Sequence, residues 1–409
     1  MQRINNGKIH VAFVGHVDKN TGYGRAARDW CRALRDHGDV NLGVDTFDDE
    51  EVGEVRCDDF DVVDDYPDVV VIHERIPWAP GAPGTGQDLV DDFLDPRGWT
   101  GRPVVLATAW EVRGMSGDLS DYLARYDAVV VPSEQSRLWL CHPIYQGIRH
   151  SARIRVVPHA VNLDFWHAER NEPEDTDPCR FLYVGQWNDR KNPAGVLRAY
   201  LAAFDHADRT EARLHLHCPG MTEAQLLEAK GVLASSGIPP NELPPLTITT
   251  QHLSDVELRE LYWQSSVFVS ASRGEGFNLP AVEAAACGLK VLANAAAVPA
   301  FEFPGHDDVV DGVRTIEGTT VPVFPGGTVR AVGGGVQFES TFPRGVTCKQ
   351  QWSEPDLGYL ASEMREMVYA GDYPRTVPRE LLQQFSYQFV GKQFGDLLRE
   401  VVYKKGSKR

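Results

Sequence analysis

Short apolar runs alternate along this chain with stretches whose apolar residues recur every three or four positions, the periods of buried strands and amphipathic helices. Runs at 9–14, 68–72, 103–108, 128–131 and 153–157 predict a first series of strands, each ending in polar or turn-forming residues. The stretch 25–37 places Ala26, Ala27, Trp30, Ala33 and Leu34 on one helical face. A second series follows at 180–184, 213–217, 246–250, 267–271 and 290–293. Strand and helix in regular succession predict an α/β fold of parallel sheets covered by helices, here as two Rossmann-like domains. The polar, acidic, proline-punctuated segment 167–178 is the natural joint. It divides the chain into a first domain at 1–166, a linker at 167–179 and a second domain at 180–385. Between 301 and 351, glycine, proline and β-formers predict an irregular insertion with a hairpin, and helical periodicity returns at 355–369 and 387–403.

A chain of 409 residues exceeds one ordinary core, in keeping with two domains. No apolar run reaches the roughly 18 residues of a membrane span, and the polar start MQRINNGKIH lacks a signal-peptide core. A cytoplasmic protein is therefore expected, with peripheral membrane contact at most. The seven cysteines are scattered, without a CxxC pair or a His cluster at zinc spacing, so they read as reduced core thiols and no metal site is expected. The net charge of −17 is uneven, since residues 39–95 are crowded with Asp and Glu against only Arg56 and Arg75. Nucleic-acid binding needs basic residues that displace counterions from phosphates, so nucleic acid is disfavoured as a partner.

The densest chemistry lies at 253–294. Ser254 and Glu257 form a capping box that opens a helix, 267–271 reads as a buried strand, and the loop 272–279 enters a second helix with Pro280 in its first turn and Gly288 at its stop. The amides of Gly276, Phe277, Asn278 and Leu279 then stand at a helix mouth, where unpaired N–H groups and the dipole favour an anion such as a diphosphate. Glu275 stands before that mouth and Glu283 about one turn inside it. A carboxylate that accepts two hydrogen bonds reads vicinal hydroxyls, as on a ribose or hexose ring. A second constellation, FLYVGQWNDRKNP at 181–193, is a strand, a turn and a helix start that presents Arg190 and Lys191, cations suited to a departing diphosphate. A third is the loop Gly22-Tyr23-Gly24, with Arg25 and Arg28, whose glycines admit a ligand close to the backbone. A fourth is a pair of strand ends, Trp110-Glu111 and His73-Glu74, either of which can line the cleft; the sequence does not choose between them.

These motifs resemble the retaining GT-B glycosyltransferases of the "glycosyl transferases group 1" family (GT4-like), whose hallmark is a Glu, seven residues, Glu pattern around a Gly-Phe-Gly-Leu-Pro-like centre. The likeness runs through nearly the whole chain. It implies an acceptor-binding first domain, a donor-binding second domain, a cleft between them, and a final helix at 386–409 that crosses back to the first domain. By resemblance, Glu275 contacts the donor sugar, Glu283 holds the ribose, and Lys191 clamps the diphosphate. Asn278 replaces the usual second glycine, and Gln186 stands where an arginine is common, which leaves Arg190 as the substitute cation. The resemblance sets Gly22, Tyr23, Gly24 and Arg28 on the acceptor side with Trp110, Glu111 or His73.

The implied reaction moves a sugar from a UDP- or GDP-linked donor to a glycan, lipid-linked or small-molecule hydroxyl. The nucleotide sugar is a substrate, and no cofactor or metal is required. Two other readings share the motifs: transfer to a hydroxymethylated DNA base, and a same-fold epimerase, phosphorylase or non-catalytic sugar-nucleotide-binding protein. The acidic first domain weighs against the former, and the intact Glu275, Lys191 and Glu283 weigh against loss of catalysis.

Overall fold

The computed structural model describes residues 7–18, 21–46, 60–61, 66–74, 94–111, 123–141, 153–168, 178–205, 207–208, 211–301, 313–316, 318–322, 328–332, 335–339, 351–369 and 376–407. Six strands, β1 (Ile9–Gly15), β2 (Val40–Asp45), β3 (Val69–His73), β4 (Val104–Ala107), β5 (Ala128–Val131) and β6 (Ile154–Val156), form a parallel sheet in the order β2-β1-β3-β4-β5-β6. A second parallel sheet follows, ordered β12-β11-β10-β7-β8-β9. Its strands are β7 (Cys179–Val184), β8 (Ala212–His217), β9 (Leu246–Thr249), β10 (Val267–Ser270), β11 (Lys290–Asn294) and β12 (Val313–Ile316). Val69–His73, Val104–Ala107 and Ala128–Val131 are buried throughout, as expected of strands covered by helices on both faces. Two such sheets make the α/β, two-domain GT-B architecture. Most of the expected linker lies outside the described residues.

The helices that position the site are α1 (Gly22–Asp36), α2 (Glu134–Leu140), α3 (Pro193–Ala203), α4 (Glu223–Ser235), α5 (Asp255–Trp263) and α6 (Leu279–Ala286). The insertion after β11 carries the antiparallel pairs Gly318–Pro322 with Gln351–Pro355 and Thr328–Val332 with Gly335–Glu339. Helix α7 (Leu357–Tyr369) then returns to the second sheet's core. The final helix, α9 (Tyr387–Gly406), follows the short α8 (Arg379–Leu382) and lies on the first sheet. There Val390, Phe394 and Leu398 join Trp30 and Leu34 in one core cluster. A side chain at Gly391 would meet the Ala33 carbonyl at 2.0 Å, so glycine sets the close crossing of α1 and α9. The outgoing crossover and the returning helix meet where the Val161 amide donates to the Phe385 carbonyl at 2.7 Å. No helix among the described residues is long and apolar enough to cross a membrane.

Candidate active site

The loop after β10 reaches α6 through a left-handed turn. Asn278 has φ 67° and ψ 66°, and its side-chain amide donates to the Ala297 carbonyl at 2.7 Å. Asn tolerates this region better than other non-glycine residues, which explains how it occupies a position where the family pattern has glycine. The second loop is built alike. Asn192, at φ 51°, caps α3 by accepting from the Gly195 amide at 3.0 Å and donates to the Ala271 carbonyl at 3.1 Å, tying the Arg190-Lys191 turn to the end of β10.

These two turns bring Glu275, Lys191 and Arg190 together. The Lys191 Nζ lies 2.8 Å from Glu275 Oε1, and Arg190 Nη1 donates to Glu275 Oε2 at 2.9 Å and to the Gly274 carbonyl at 2.7 Å. Burial alone would raise the Glu275 carboxyl, yet Lys191 and Arg190 outweigh it and hold the group below the ordinary carboxylate range. From the first domain, Glu111 Oε1 reaches Arg190 Nη2 at 3.0 Å, so an acid–base chain of Glu111, Arg190, Glu275 and Lys191 spans the two domains.

Glu283 is enclosed by a different set of groups. Its Oε1 accepts from Arg25 Nη1 at 2.8 Å and its Oε2 from the Tyr262 hydroxyl at 3.2 Å. Arg25 also pairs with Asp255 at the start of α5 and lies 5.7 Å from the Trp166 ring. Burial pushes the Glu283 carboxyl above its usual range against the pull of Arg25. The carboxylates therefore stand either side of the α6 mouth, each closed over by cations. A cavity of about 400 Å³ adjoins Arg25 and is lined also by Arg28, Trp166, Asp255 and Tyr387.

The remaining expected residues divide sharply. Gly276 sits where a side chain would come within 2.9 Å of Ala109 Cβ in the first domain, so the loop is pressed against the β4 end. Phe277 and Leu279 are packed in the core, the Phe277 ring between His159 and Phe385. Gln186 is exposed, and its carbonyl accepts from the Tyr183 hydroxyl at 3.3 Å. Gly22 begins α1 and is exposed. Gly24 donates to the capping Thr21 hydroxyl, and Tyr23 stacks on His73 at 4.0 Å.

Three of the expected residues are buried. His73 is wholly buried among Phe13, Tyr23 and Trp30, behind the cleft surface. Trp110 is 3% exposed within the first domain's core, while its neighbour Glu111 turns to Arg190. Trp110 and Glu111 lie beyond the end of β4, where packing decides which of the pair turns to the cleft. Arg28 is buried and spends its Nη1 on the Val17 carbonyl at 2.8 Å, fixing the β1–α1 loop.

Three participants escaped sequence reasoning, Asp255, Gln135 and Ser136, and for Arg25 the loop was legible but its partner was not. Arg25 and Asp255 meet across the two domains, and no local motif announces that pairing. Gln135 and Ser136 of α2 donate to the carbonyls of Glu275 and Gly276, at 3.3 Å each. Ser133 caps α2 by accepting from the Ser136 amide at 3.1 Å. Among the described residues, no group of three or more His, Cys, Asp or Glu side chains is placed to hold a metal ion.

Residues 178–315 match the family model described as Glycosyl transferases group 1. The chain also superposes on solved structures over nearly its full length. A sucrose-phosphate synthase from Thermosynechococcus elongatus matches with a TM-score of 0.64 at 15% identity, covering 97% of this chain and 100% of that one. HepE from Anabaena, solved with UDP and glucose, matches at 0.60 and 13% identity, with 96% and 99% covered. The lipopolysaccharide outer core galactosyltransferase WaaB matches at 0.60 and 11% identity, with 97% and 100% covered. At such identities the likeness shows the fold alone. Comparison with curated protein sequences finds no significant match. With the family match falling on the two loops that carry Lys191 and Glu275, residues 178–315 form a Glycosyl transferases group 1 region within a chain of GT-B fold.

Proposed function

We propose that the protein transfers a hexose from a UDP- or GDP-linked donor to an acceptor hydroxyl with retention of anomeric configuration. The observation that carries this reading is the convergence of Lys191 and Arg190 on Glu275, within 2.9 Å, beside the amide-lined mouth of α6. A diphosphate at that mouth meets helix amides and two cations already desolvated and held in place, the arrangement that best stabilises a leaving anion. HepE was solved with UDP and glucose, which makes UDP-glucose the first donor to try.

In the proposed step the bond from the sugar's anomeric carbon to the diphosphate oxygen breaks, and the acceptor oxygen bonds to that carbon on the same face. The departing phosphate oxygen takes the acceptor's proton. Glu275 orients the sugar hydroxyls, Glu283 holds the ribose, and Lys191 with Arg190 receives the diphosphate charge. No protein nucleophile or metal is part of this step. Glu111, joined to Arg190 from the first domain, orients the acceptor side of the cleft.

The test is calorimetric titration with a panel of UDP- and GDP-sugars, followed by transfer assays on two variants. Glu275→Ala is expected to abolish transfer while retaining nucleotide binding, and Glu283→Ala to weaken donor binding about tenfold or more, the worth of a lost charge-assisted hydrogen-bond pair. A panel without a single binder, or unchanged activity in both variants, contradicts the reading.

A further inference from the structure

Glu283 lies behind a residue of the other domain. Its side chain is 2% exposed, and the group covering it is Arg25, whose own side chain is 18% exposed and so fronts the solvent side. Both carboxylate oxygens are occupied, one by Arg25 and one by Tyr262. The carboxylate has lone pairs to spare, but a ribose that approaches them from the solvent side has to displace the guanidinium that covers them. Tyr262 lies on α5 of the same domain as Glu283 and can stay, whereas Arg25 lies on α1 of the first domain and holds the domains together through Glu283 and Asp255.

We infer that Arg25 is a further residue of the donor site, a cross-domain cation that exchanges Glu283 for the incoming nucleoside, so that ribose binding and the Arg25 bridge compete for one carboxylate. The inference rests on the proposed role of Glu283. Two features make the exchange feasible. Asp255, the second anchor of Arg25, is 56% exposed, so that half of the bridge is screened by water and weakly held. The cavity of about 400 Å³ beside Arg25 gives the guanidinium a place to go once it leaves both carboxylates, with the Trp166 ring and Asp29 on its wall to receive a cation.

The experiment is titration of UDP and of GDP into the full-length wild type, Asp255→Asn, Arg25→Gln and Glu283→Gln. Asp255→Asn lies on the surface and leaves the Arg25–Glu283 pair intact; it is expected to tighten nucleotide binding about two- to fivefold, the worth of a half-exposed ion pair. Arg25→Gln removes the competitor and is expected to tighten binding about tenfold or more. Glu283→Gln is expected to weaken it. Melting curves on each variant check folding, and Asp255→Asn carries the test alone if Arg25→Gln does not fold. If the wild type binds a nucleotide and Glu283→Gln weakens it, but the Asp255 and Arg25 variants bind equally or more weakly, the competition is wrong and the donor reading stands. If the wild type binds neither nucleotide, or Glu283→Gln binds unchanged, the donor reading of Glu283 fails and the inference falls with it.

Discussion

His159 shows how much a single side chain reveals about its surroundings. It is 5% exposed between the rings of Trp30 and Phe277, and among the described residues its Nδ1 has no hydrogen-bond partner. Burial drives its pKa from 6.5 down to about 3. The folded chain thus keeps His159 neutral where the unfolded chain binds a proton, so the stability it contributes is complete above about pH 6.5 and is lost as the pH falls toward 3. Melting temperatures of the wild type and His159→Leu at pH 7.5 and pH 5 should show the wild type losing more on acidification; an equal loss in both contradicts the buried, neutral assignment. Glu275 behaves in the opposite manner among the acids. Its cations hold it ionised, so the ion pairs with Lys191 and Arg190 persist through the neutral range in which transfer is expected. Residue types at Glu275, Lys191 and Arg190 were legible in the sequence because each stands in a contiguous strand–turn–helix motif. The orientations of His73 and Trp110 were not, since packing alone decides which side chain turns inward.

At the scale of elements, the loop between β10 and α6 carries the account. It is fixed from below by Asn192 and Asn278 and from the opposite domain by Gln135 and Ser136 of α2. The insertion adds another hold: the Ser353 amide donates to the Arg273 carbonyl at 2.9 Å, and Arg273 pairs with Glu354. Gly276 is the contact point with the first domain. Gly276→Ala should push the loop off Ala109 by a few tenths of an ångström to 1 Å and lower kcat by about 10- to 100-fold, as small misplacements of a reacting group do. Adding Ala109→Gly in the same chain should recover most of the loss; a double variant as slow as the single one contradicts this view of the contact. Element by element, the apolar strands were legible because both faces are buried. The edge strand Val40–Asp45 was not, since Asn41 and Asp45 break its apolar run, and the Val313–Ile316 strand was hidden within the glycine-rich insertion.

For the whole molecule, two parallel sheets face each other across a boundary crossed by charge: Glu111 to Arg190 on one side of the α6 mouth, Arg25 to Glu283 and Asp255 on the other. Both bridges end on groups proposed to hold the donor, so donor occupancy and domain arrangement are linked through the same side chains. This level was the least legible in the sequence. Arg25 and Glu283 lie 258 positions apart, and neither lies in a motif that names the other. The C-terminal helix, by contrast, was foreseen to cross back, and α9 does so against α1.

The most direct test of the central claim is a crystal structure of the protein with UDP or GDP bound. The account predicts diphosphate oxygens within hydrogen-bonding distance of the Gly276 and Phe277 amides and of Lys191 or Arg190, with the ribose hydroxyls on Glu283. A nucleotide bound elsewhere, with Lys191 and Arg25 still closed on the two glutamates, would contradict it.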